Sequence, residues 1–233
     1  MKNNSIDTST RVHARVAGVL YLIIIVFGIT SEVFIRARLI VAGDAAATAQ
    51  NILASSALFR AGFAADAIML LCDVALAVLL YQLLKPVSNT LSLTAAAFRL
   101  TQAAVLGFNL LNLYAPLLIL GGTVPLSSFE TAQVYELASF FLSLHGNGYD
   151  LGLIFFGLSN IVLGYLVVRS DYFPSILGYG LEAAGVVYLA GSFTRFLLPE
   201  YVSLMEPVYI VPVIAELSFC LWLLGKGIRT QFR

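Results

Sequence analysis

Two carboxylates lie within one long apolar stretch, residues 58–84, which also carries Arg60 near its start. Asp66 and Asp73 are seven residues apart, and at about 100° per residue a helix places them on one face. A charged side chain at the centre of a bilayer costs on the order of 2.5–3.5 kcal/mol. The two acids therefore predict partners on neighbouring helices, or a wet interior, in a helix bundle.

Further polar side chains fall inside the other apolar stretches, and their depth can be counted at about 1.5 Å per residue from the helix ends. One layer, roughly eight to eleven residues from one end, contains Asp73, Arg99, Asn160, Glu182 and Glu216. A second layer, roughly eighteen to twenty-four residues from that end, contains Asp66, Asn109, His145, Asp150 and Arg195. By helical phase, Gln102 shares a face with Arg99 and Tyr149 with His145. We predict a polar binding site formed by Asp66, Asp73, Arg99, Gln102, Asn109, His145, Tyr149, Asp150, Glu182, Arg195 and Glu216.

The amino-acid composition indicates whether this chain folds in water or in a membrane. It is 60% hydrophobic and 11% charged, with a mean hydropathy of +0.91, whereas soluble domains carry about 25% charged residues. This predicts a polytopic membrane protein whose main partner is the lipid bilayer. The formal net charge of zero and the lack of a Lys/Arg cluster give no surface for nucleic acid. Cys72 and Cys220 lie in apolar stretches, which favours packing over a disulfide or a reactive thiol.

The elements that must position the polar residues are six predicted spans, since each apolar stretch provides the roughly 20 residues that a 30 Å hydrocarbon core requires. Boundaries fall at Lys85-Pro86, because proline disfavours helix in the residue before it, and at Gly121-Gly122. The predicted spans cover residues 16–34, about 56–84, 91–120, about 144–168, 176–198 and 208–224.

Two further segments are predicted to be short interfacial helices on the outer side. One follows Gly43, is capped by Asp44 and ends near Ala54. The other is the amphipathic first part of the apolar stretch 129–168, which is too long for one span and is expected to bend between Ser143 and Gly148. Together the elements predict an all-α polytopic membrane bundle of six transmembrane helices.

The organisation and orientation follow from the position of the charges. We expect a polar N-terminal tail at 1–15, a single six-helix transmembrane domain at 16–227 and a short C-terminal tail at 228–233. The side that holds both termini carries Lys2, Arg11, Arg15, Lys85, Arg169, Lys226, Arg229 and Arg233. The positive-inside rule then predicts that both termini are cytoplasmic, in the cell inner membrane.

Catalytic motifs with a recognisable spacing do not occur in the sequence. It has no HExxH, paired-cysteine, GxSxG or Walker pattern, and its two histidines are His13 and His145. We therefore expect no metal and no cofactor. The one group that resembles acid–base machinery is Asp150 with His145 and Tyr149, which leaves open an intramembrane enzyme or redox partner that acts on a lipid-like substrate.

The same polar residues also have structural interpretations. Asp73 with Arg99, and Asp150 with Arg195, would be buried pairs that fix neighbouring helices, and Asn109 would form an interhelical hydrogen bond. The spans nevertheless hold more acids than bases: Asp66, Asp73, Asp150, Glu182 and Glu216 against Arg60, Arg99 and Arg195. At least two acids are left without an arginine, and these are protonated, bind a cation or face water.

Five stretches carry a wider pattern: GDAAATAQNI at 43–52, LLCDVALAVLLYQLLKPV at 70–87, FRLTQAAVLGFNLLNL at 98–113, HGNGYDLGLIFFGLSNIVLGYL at 145–166 and ELSFCLWLLGKG at 216–227. This pattern resembles that of the bacterial domain of unknown function 4386 family, over nearly the whole chain. The resemblance implies a multi-pass membrane protein. It carries over no catalytic residue, cofactor or substrate.

We interpret the chain as a binding or transport protein for a small solute or a proton, with an acid-rich polar site inside the membrane. The intramembrane enzyme and a purely structural or sensing module are the alternatives. The stretch LHGNGYD at 144–150 interrupts a long apolar region, and irregular backbone at membrane depth must be packed in protein or line water. We therefore expect a cavity that opens outward, bordered by Asp66, Asn109, Asp150 and Arg195.

Overall fold

The computed structural model describes residues 8–228, and these residues form helices joined by short turns, with no strand among them. Helix α1 (Thr8–Ile29) continues through a π-helical segment (Thr30–Arg36) into α2 (Ala37–Leu39). The others are α3 (Ala45–Ala54), α4 (Ser56–Leu84), α5 (Asn89–Leu120), α6 (Thr131–Arg169), α7 (Ser175–Leu197), α8 (Val202–Met205) and α9 (Ile210–Gly225). Short 3₁₀ segments, Pro199–Tyr201 and Glu206–Tyr209, flank α8.

Six helical stretches are long and apolar enough to cross a membrane, which confirms the predicted fold class. They are Thr10–Leu39, Ser56–Leu84, Asn89–Leu120, Thr131–Arg169, Ser175–Leu197 and Pro199–Gly225. The chain is thus an all-α polytopic membrane protein. The predicted capping of α3 is also confirmed, since the Asp44 carboxylate accepts a hydrogen bond of 2.8 Å from the Ala47 amide and so satisfies one of the free amides at the helix start.

The fourth predicted span differs from the structure, because α6 is one uninterrupted helix of 39 residues. The bend expected between Ser143 and Gly148 and the separate interfacial helix before it are both wrong. Glycine does not break a helix that packs closely on a neighbour, and a Cβ on Gly148 would collide with the Asn109 side chain of α5. Gly148 therefore permits close packing of two helices, and at about 1.5 Å per residue α6 is longer than a bilayer core is thick.

The first span also differs, because it extends past the predicted end at residue 34. The helix passes through the π-helical segment Thr30–Arg36, in which i→i+5 bonds accommodate the chain, and ends at Leu39. Arg36 thereby lies within the helical stretch and is 7% exposed. At the other end, α1 already begins at Thr8, inside the predicted polar tail; residues 1–7 and 229–233 of the two predicted tails lie outside the described residues.

The chain divides into two compact units. Unit 1 comprises, of the described residues, 8–23, 72–103 and 150–228, and unit 2 comprises 24–71 and 104–149. The core of unit 2 is built from buried aliphatic and aromatic side chains that include Ile35, Ile52, Phe59, Leu106 and Leu113.

In unit 1, glycines bring helices α6 and α7 into backbone contact. A Cβ on Gly164 would lie 2.6 Å from the carbonyl oxygen of Gly178, and a Cβ on Gly157 would lie 2.9 Å from that of Gly185. Small residues at such positions let the backbones of membrane helices approach closely. Asn160 lies between the two glycines of α6, and its side-chain amide bonds to Glu216 of α9.

Helix α9 of unit 1 packs in the same manner on α1. A Cβ on Gly18 would lie 2.8 Å from the backbone nitrogen of Leu224, and the Cys220 thiol donates a hydrogen bond of 3.4 Å to the Gly18 carbonyl. The close approach places Tyr21 of α1, one turn further along, beside Glu216 of α9. These contacts position the polar side chains described next.

Candidate functional site

Asp73 of α4 and Arg99 of α5 form the buried ion pair that their matched depth predicted. The Asp73 Oδ1 atom lies 2.7 Å from Nε and 2.6 Å from Nη2 of Arg99, and the two residues are 3% and 1% exposed. With its amide nitrogen turned toward Asp73, Gln102 donates a hydrogen bond of 2.6 Å to Oδ2. Both carboxylate oxygens of Asp73 are therefore satisfied.

The guanidinium of Arg99 also lies between two aromatic rings. Its Cζ atom is 5.3 Å from the ring centroid of Tyr21 and 4.9 Å from that of Phe156. A cation over a ring face is stabilised by the ring quadrupole, by roughly 2 kcal/mol or more in a desolvated place. Among the described residues, however, the Nη1 atom has no hydrogen-bond partner.

Glu216 of α9 is the second buried acid of this part of unit 1, and its contacts are of a different kind. Its Oε2 atom accepts a hydrogen bond of 3.0 Å from the Tyr21 hydroxyl. Its Oε1 atom accepts one of 2.7 Å from the Tyr188 hydroxyl and one of 3.4 Å from the Asn160 amide. We call Tyr21, Asp73, Arg99, Gln102, Asn160, Tyr188 and Glu216 the Glu216 cluster.

The acids of the spans differ in whether an arginine neutralises them. Asp73 contacts Arg99, Asp150 contacts Arg195, and Asp66 contacts Arg36. Within residues 8–228, no basic side chain lies at ion-pair distance from Glu216 or from Glu182. Two acids without an arginine therefore remain, as the sequence predicted, and the base that pairs with Asp66 is Arg36, which was not among the arginines counted within the spans.

The remaining site residues of unit 1 lie apart from this cluster. Asp150 binds Arg195, whose side chain is 40% exposed, so the alternative interpretation of a pair between the fourth and fifth spans is confirmed. Glu182 is only partly buried, and its Cγ lies against Gly164, where a Cβ would meet it at 2.7 Å. No hydrogen bond among the described residues joins Glu182 to the Glu216 cluster.

Unit 2 holds a polar group around Arg36. The guanidinium contacts Glu32 at 2.7 Å and the Ser31 hydroxyl at 2.8 Å, and it forms a buried ion pair with Asp66. Ser31 donates in turn to the Gly62 carbonyl at 3.2 Å. This set connects the π-helical segment to α4, and it pairs Asp66, one of the acids for which the sequence offered no partner.

Asn109, also in unit 2, connects α5 to α6 through the backbone of His145. The Asn109 amide donates to the His145 carbonyl at 2.8 Å, and the His145 Nδ1 atom lies 3.2 Å from the Asn109 carbonyl. Since a carbonyl only accepts, Nδ1 carries the proton. Asn112 donates to the Asn109 Oδ1 atom at 2.9 Å, a bond within α5, so an interhelical role is confirmed for Asn109 alone.

These contacts argue against His145, Tyr149 and Asp150 as an acid–base group of an intramembrane enzyme. His145 is engaged with Asn109, and its ring centroid is 6.4 Å from that of Tyr149. Asp150 is engaged with Arg195. Five positions along a helix also separate the His145 and Asp150 side chains by about 140°, so they do not share a face.

The structure therefore brings together most of the first predicted layer: Asp73, Arg99, Asn160 and Glu216 belong to one cluster, and Glu182 does not. Of the residues predicted to border an outward cavity, Asp66 and Asn109 belong to unit 2, and Asp150 and Arg195 to unit 1. Because α6 is continuous, the reason given for that cavity, an irregular backbone, is wrong. The cavity itself stays a prediction.

Three site residues were not among those predicted from the sequence. Tyr21 and Tyr188 resemble the apolar residues around them in any hydropathy profile, although their hydroxyls contact Glu216. Arg36 lies beyond the predicted end of the first span at residue 34 and so was not among the bases counted within the spans. Its spacing of four from Glu32 was a signal of a continued helix.

A narrow cleft lies between α4, α5 and α6 of unit 1. Its polar lining is Tyr81, Ser92, Ser159 and, at the deep end, Arg99, and the rest of the lining is aliphatic. The space inside the cleft is about 10 Å³, which is enough for about one water molecule. The cleft is therefore far smaller than the roughly 300–1,000 Å³ of pockets that hold drug-sized ligands.

Comparison with known proteins places the chain in a family. The family model "Domain of unknown function (DUF4386)" matches residues 16–227, so the chain belongs to this family. An uncharacterised protein of Archaeoglobus fulgidus is 30% identical over 162 residues, which cover 69% of this chain and 80% of the relative. No solved structure matches the chain.

Proposed function

We propose that this integral membrane protein binds and releases a proton at Glu216, as the site of a proton-linked binding or transport activity. The observation that carries the proposal is the environment of this carboxyl. Glu216 is 6% exposed within a membrane span, and it contacts two tyrosine hydroxyls and one amide but no arginine. A buried carboxylate that no cation contacts directly is costly in an apolar medium, and a neutral carboxylic acid is not.

The neighbours of Glu216 can satisfy both protonation states. The ionised carboxylate accepts from all three donors. When the carboxyl is protonated it needs an acceptor, and the Oδ1 atom of Asn160, which is 0% exposed, has no partner among the described residues. Rotation of the Asn160 amide by half a turn would present Oδ1 to the new O–H group, and tyrosine hydroxyls accept as well as donate.

The other buried acids are less suited to this task. Asp73 is held by Arg99 and Gln102, and protonation would leave the Arg99 cation unpaired. Breaking a buried pair in this way costs on the order of 3–5 kcal/mol. A proton can therefore exchange at Glu216 while the Asp73–Arg99 pair stays intact.

The size of the cleft supports the proton over a larger solute. Its space of about 10 Å³ holds about one water molecule, and Arg99 of the same cluster lies at its deep end. A proton needs no cavity of its own, because hydrogen-bonded hydroxyls and water can carry it.

The test is an infrared titration of the purified protein, which detects the C=O stretch of a protonated carboxyl in an apolar site. We expect such a band in the wild type and its loss in Glu216→Gln, an isosteric variant that keeps an acceptor for Tyr188 and Asn160. The matched controls are Glu182→Gln and Asp150→Asn, in which the band should persist. If the band is absent from the wild type at every pH, or is unchanged in Glu216→Gln, the proposal is wrong.

Transport is tested separately in proteoliposomes that contain a trapped pH dye. An imposed pH gradient should decay faster with the wild-type protein than with Glu216→Gln. Equal decay rates for the two proteins, with the infrared band assigned to Glu216, would restrict the function to proton binding.

A further inference from the structure

We infer that protons reach Glu216 from the α4–α5 end of the helices, through the cleft between α4, α5 and α6, with water held at Arg99 and the Tyr21 hydroxyl as the relay. This inference rests on the proposed function of Glu216 and adds the route and the residues that form it. All of the residues involved belong to unit 1.

Polar side chains lie at both ends of the cleft, with Tyr81 and Ser92 at one end and Arg99 at the other. Tyr81 lies in the last turn of α4 and Ser92 in the first turn of α5, so both are next to the turn that joins these helices. Arg99 lies ten residues inside α5, or about 15 Å from its start at 1.5 Å per residue. The cleft thus leads from one end of the helices to the depth of the Glu216 cluster.

Arg99 supplies the evidence that the deep end is hydrated. Its side chain is almost fully buried, and it lines the cleft, yet Nη1 has no hydrogen-bond partner among the described residues. A buried N–H of a charged group that lacks a partner is costly. The cleft has room for about one water molecule, and a water beside Arg99 would satisfy Nη1.

The pair with Asp73 makes this end of the route passable for a proton. A lone guanidinium would repel an excess proton, but the Asp73 carboxylate, 2.6 Å from Nη2, balances the charge. The Tyr21 ring lies against the guanidinium at 5.3 Å, and its hydroxyl contacts Glu216 at 3.0 Å.

Tyr21 can therefore pass the proton on. In the relay, the Tyr21 O–H bond breaks as its proton forms a bond with Glu216 Oε2, and the phenol oxygen takes up one proton from the water side. Tyr21 is regenerated, and one proton has moved from the cleft to Glu216. No oxidant, reductant or other reactant is needed.

The first arm of the test uses the wild-type protein and therefore does not depend on the folding of a variant. Radiolytic hydroxyl-radical labelling modifies buried side chains that lie next to internal water. Leu163 and Leu166, which line the cleft, should be labelled. The controls Leu181 and Leu223, equally buried but outside the cleft, should not. Equal labelling of the two pairs, or none of Leu163 and Leu166, would overturn the inference.

The second arm measures the rate at which the Glu216 infrared band responds to a pH jump. Tyr21→Phe keeps the ring that contacts Arg99 and removes only the relay hydroxyl, so the response should slow by roughly 10²-fold, the low end of what a positioned proton-transfer group contributes. The matched control, Tyr179→Phe, removes a tyrosine hydroxyl from an exposed position of α7 outside the Glu216 cluster and should leave the rate close to that of the wild type. Equal rates for wild type and Tyr21→Phe would refute the relay.

The two levels of the proposal fail in different ways. If Glu216 titrates but the cleft is dry or Tyr21→Phe is as fast as the wild type, the route is wrong and the proposed function stands. If the Glu216 band does not exist, the proposed function fails and the route fails with it.

Discussion

Replacing Asp73 by asparagine should destabilise the protein more than replacing both members of its ion pair. Asp73→Asn leaves the guanidinium of Arg99, 1% exposed, without a counter-charge, and loss of one partner of a buried pair costs on the order of 3–5 kcal/mol. The new amide would also face two groups of donors, because Arg99 and Gln102 both donate to Asp73.

The double variant Asp73→Asn/Arg99→Gln removes both charges and leaves amides that can bond to each other. Replacing a whole buried pair by neutral groups is often close to neutral, but here the cation–aromatic contacts with Tyr21 and Phe156 are lost as well. Those contacts are worth roughly 2 kcal/mol. We therefore expect the double variant to be about 1–3 kcal/mol more stable than Asp73→Asn.

The assay is reversible unfolding in mixed detergent micelles, followed by the fluorescence of the single tryptophan, Trp222. The free energy of unfolding is compared for the wild type, the two single variants and the double variant. Additive losses, with the double variant at least as unstable as the sum of Asp73→Asn and Arg99→Gln, would refute the reasoning, since they would mean that the two side chains do not interact.

Three further predictions concern packing, capping and topology. Gly164→Ala should destabilise the protein, because its Cβ would lie 2.6 Å from the Gly178 carbonyl oxygen. The Cβ of Gly146→Ala meets nothing within 4 Å, so this variant should be neutral or stabilising by about 0.5–1 kcal/mol. Thermal unfolding compares the two variants, and equal losses of stability would contradict the close α6–α7 contact. Asp44→Ala should cost about 1 kcal/mol through loss of the α3 cap, seen as faster amide hydrogen exchange at Ala47 but not in α4; unchanged exchange would argue against the cap. A reporter fused after Pro86 should be cytoplasmic and one fused after Gly122 external, and a reversed pattern would overturn the orientation.

The continuous helix α6 changes how the polar stretch at 144–150 is understood. Gly148 and His145 do not mark a break in the chain; they form the surface on which Asn109 packs and bonds. In membranes, glycine and asparagine commonly serve such contacts. The same logic applies to Gly164 and Gly178, where the absence of side chains allows two backbones to meet.

The sequence by itself was enough to predict that this protein lies in a membrane, where its helices run and which of its acids are buried. Apolar stretches of membrane length, ended by Lys85-Pro86 and Gly121-Gly122, suffice to place the spans because a backbone in lipid must satisfy its own hydrogen bonds. The matched depth of Asp73 and Arg99 predicted their pair for the same reason, since an unpaired charge is not tolerated there.

Only the tertiary structure decided which acid lacks a cation. The position of a residue along its helix predicts only its depth in the membrane. Which side chains meet also depends on the rotation of each helix about its axis and on where the first span ends. The π-helical segment brings Arg36 to Asp66, and the close approach at Gly18 brings Tyr21 to Glu216. A tyrosine in an apolar stretch gives no sign in sequence that its hydroxyl is needed, because its polarity matters only when a partner lies within about 3 Å. The Glu216 cluster is therefore a product of packing, assembled from residues that pattern alone could only place at a similar depth.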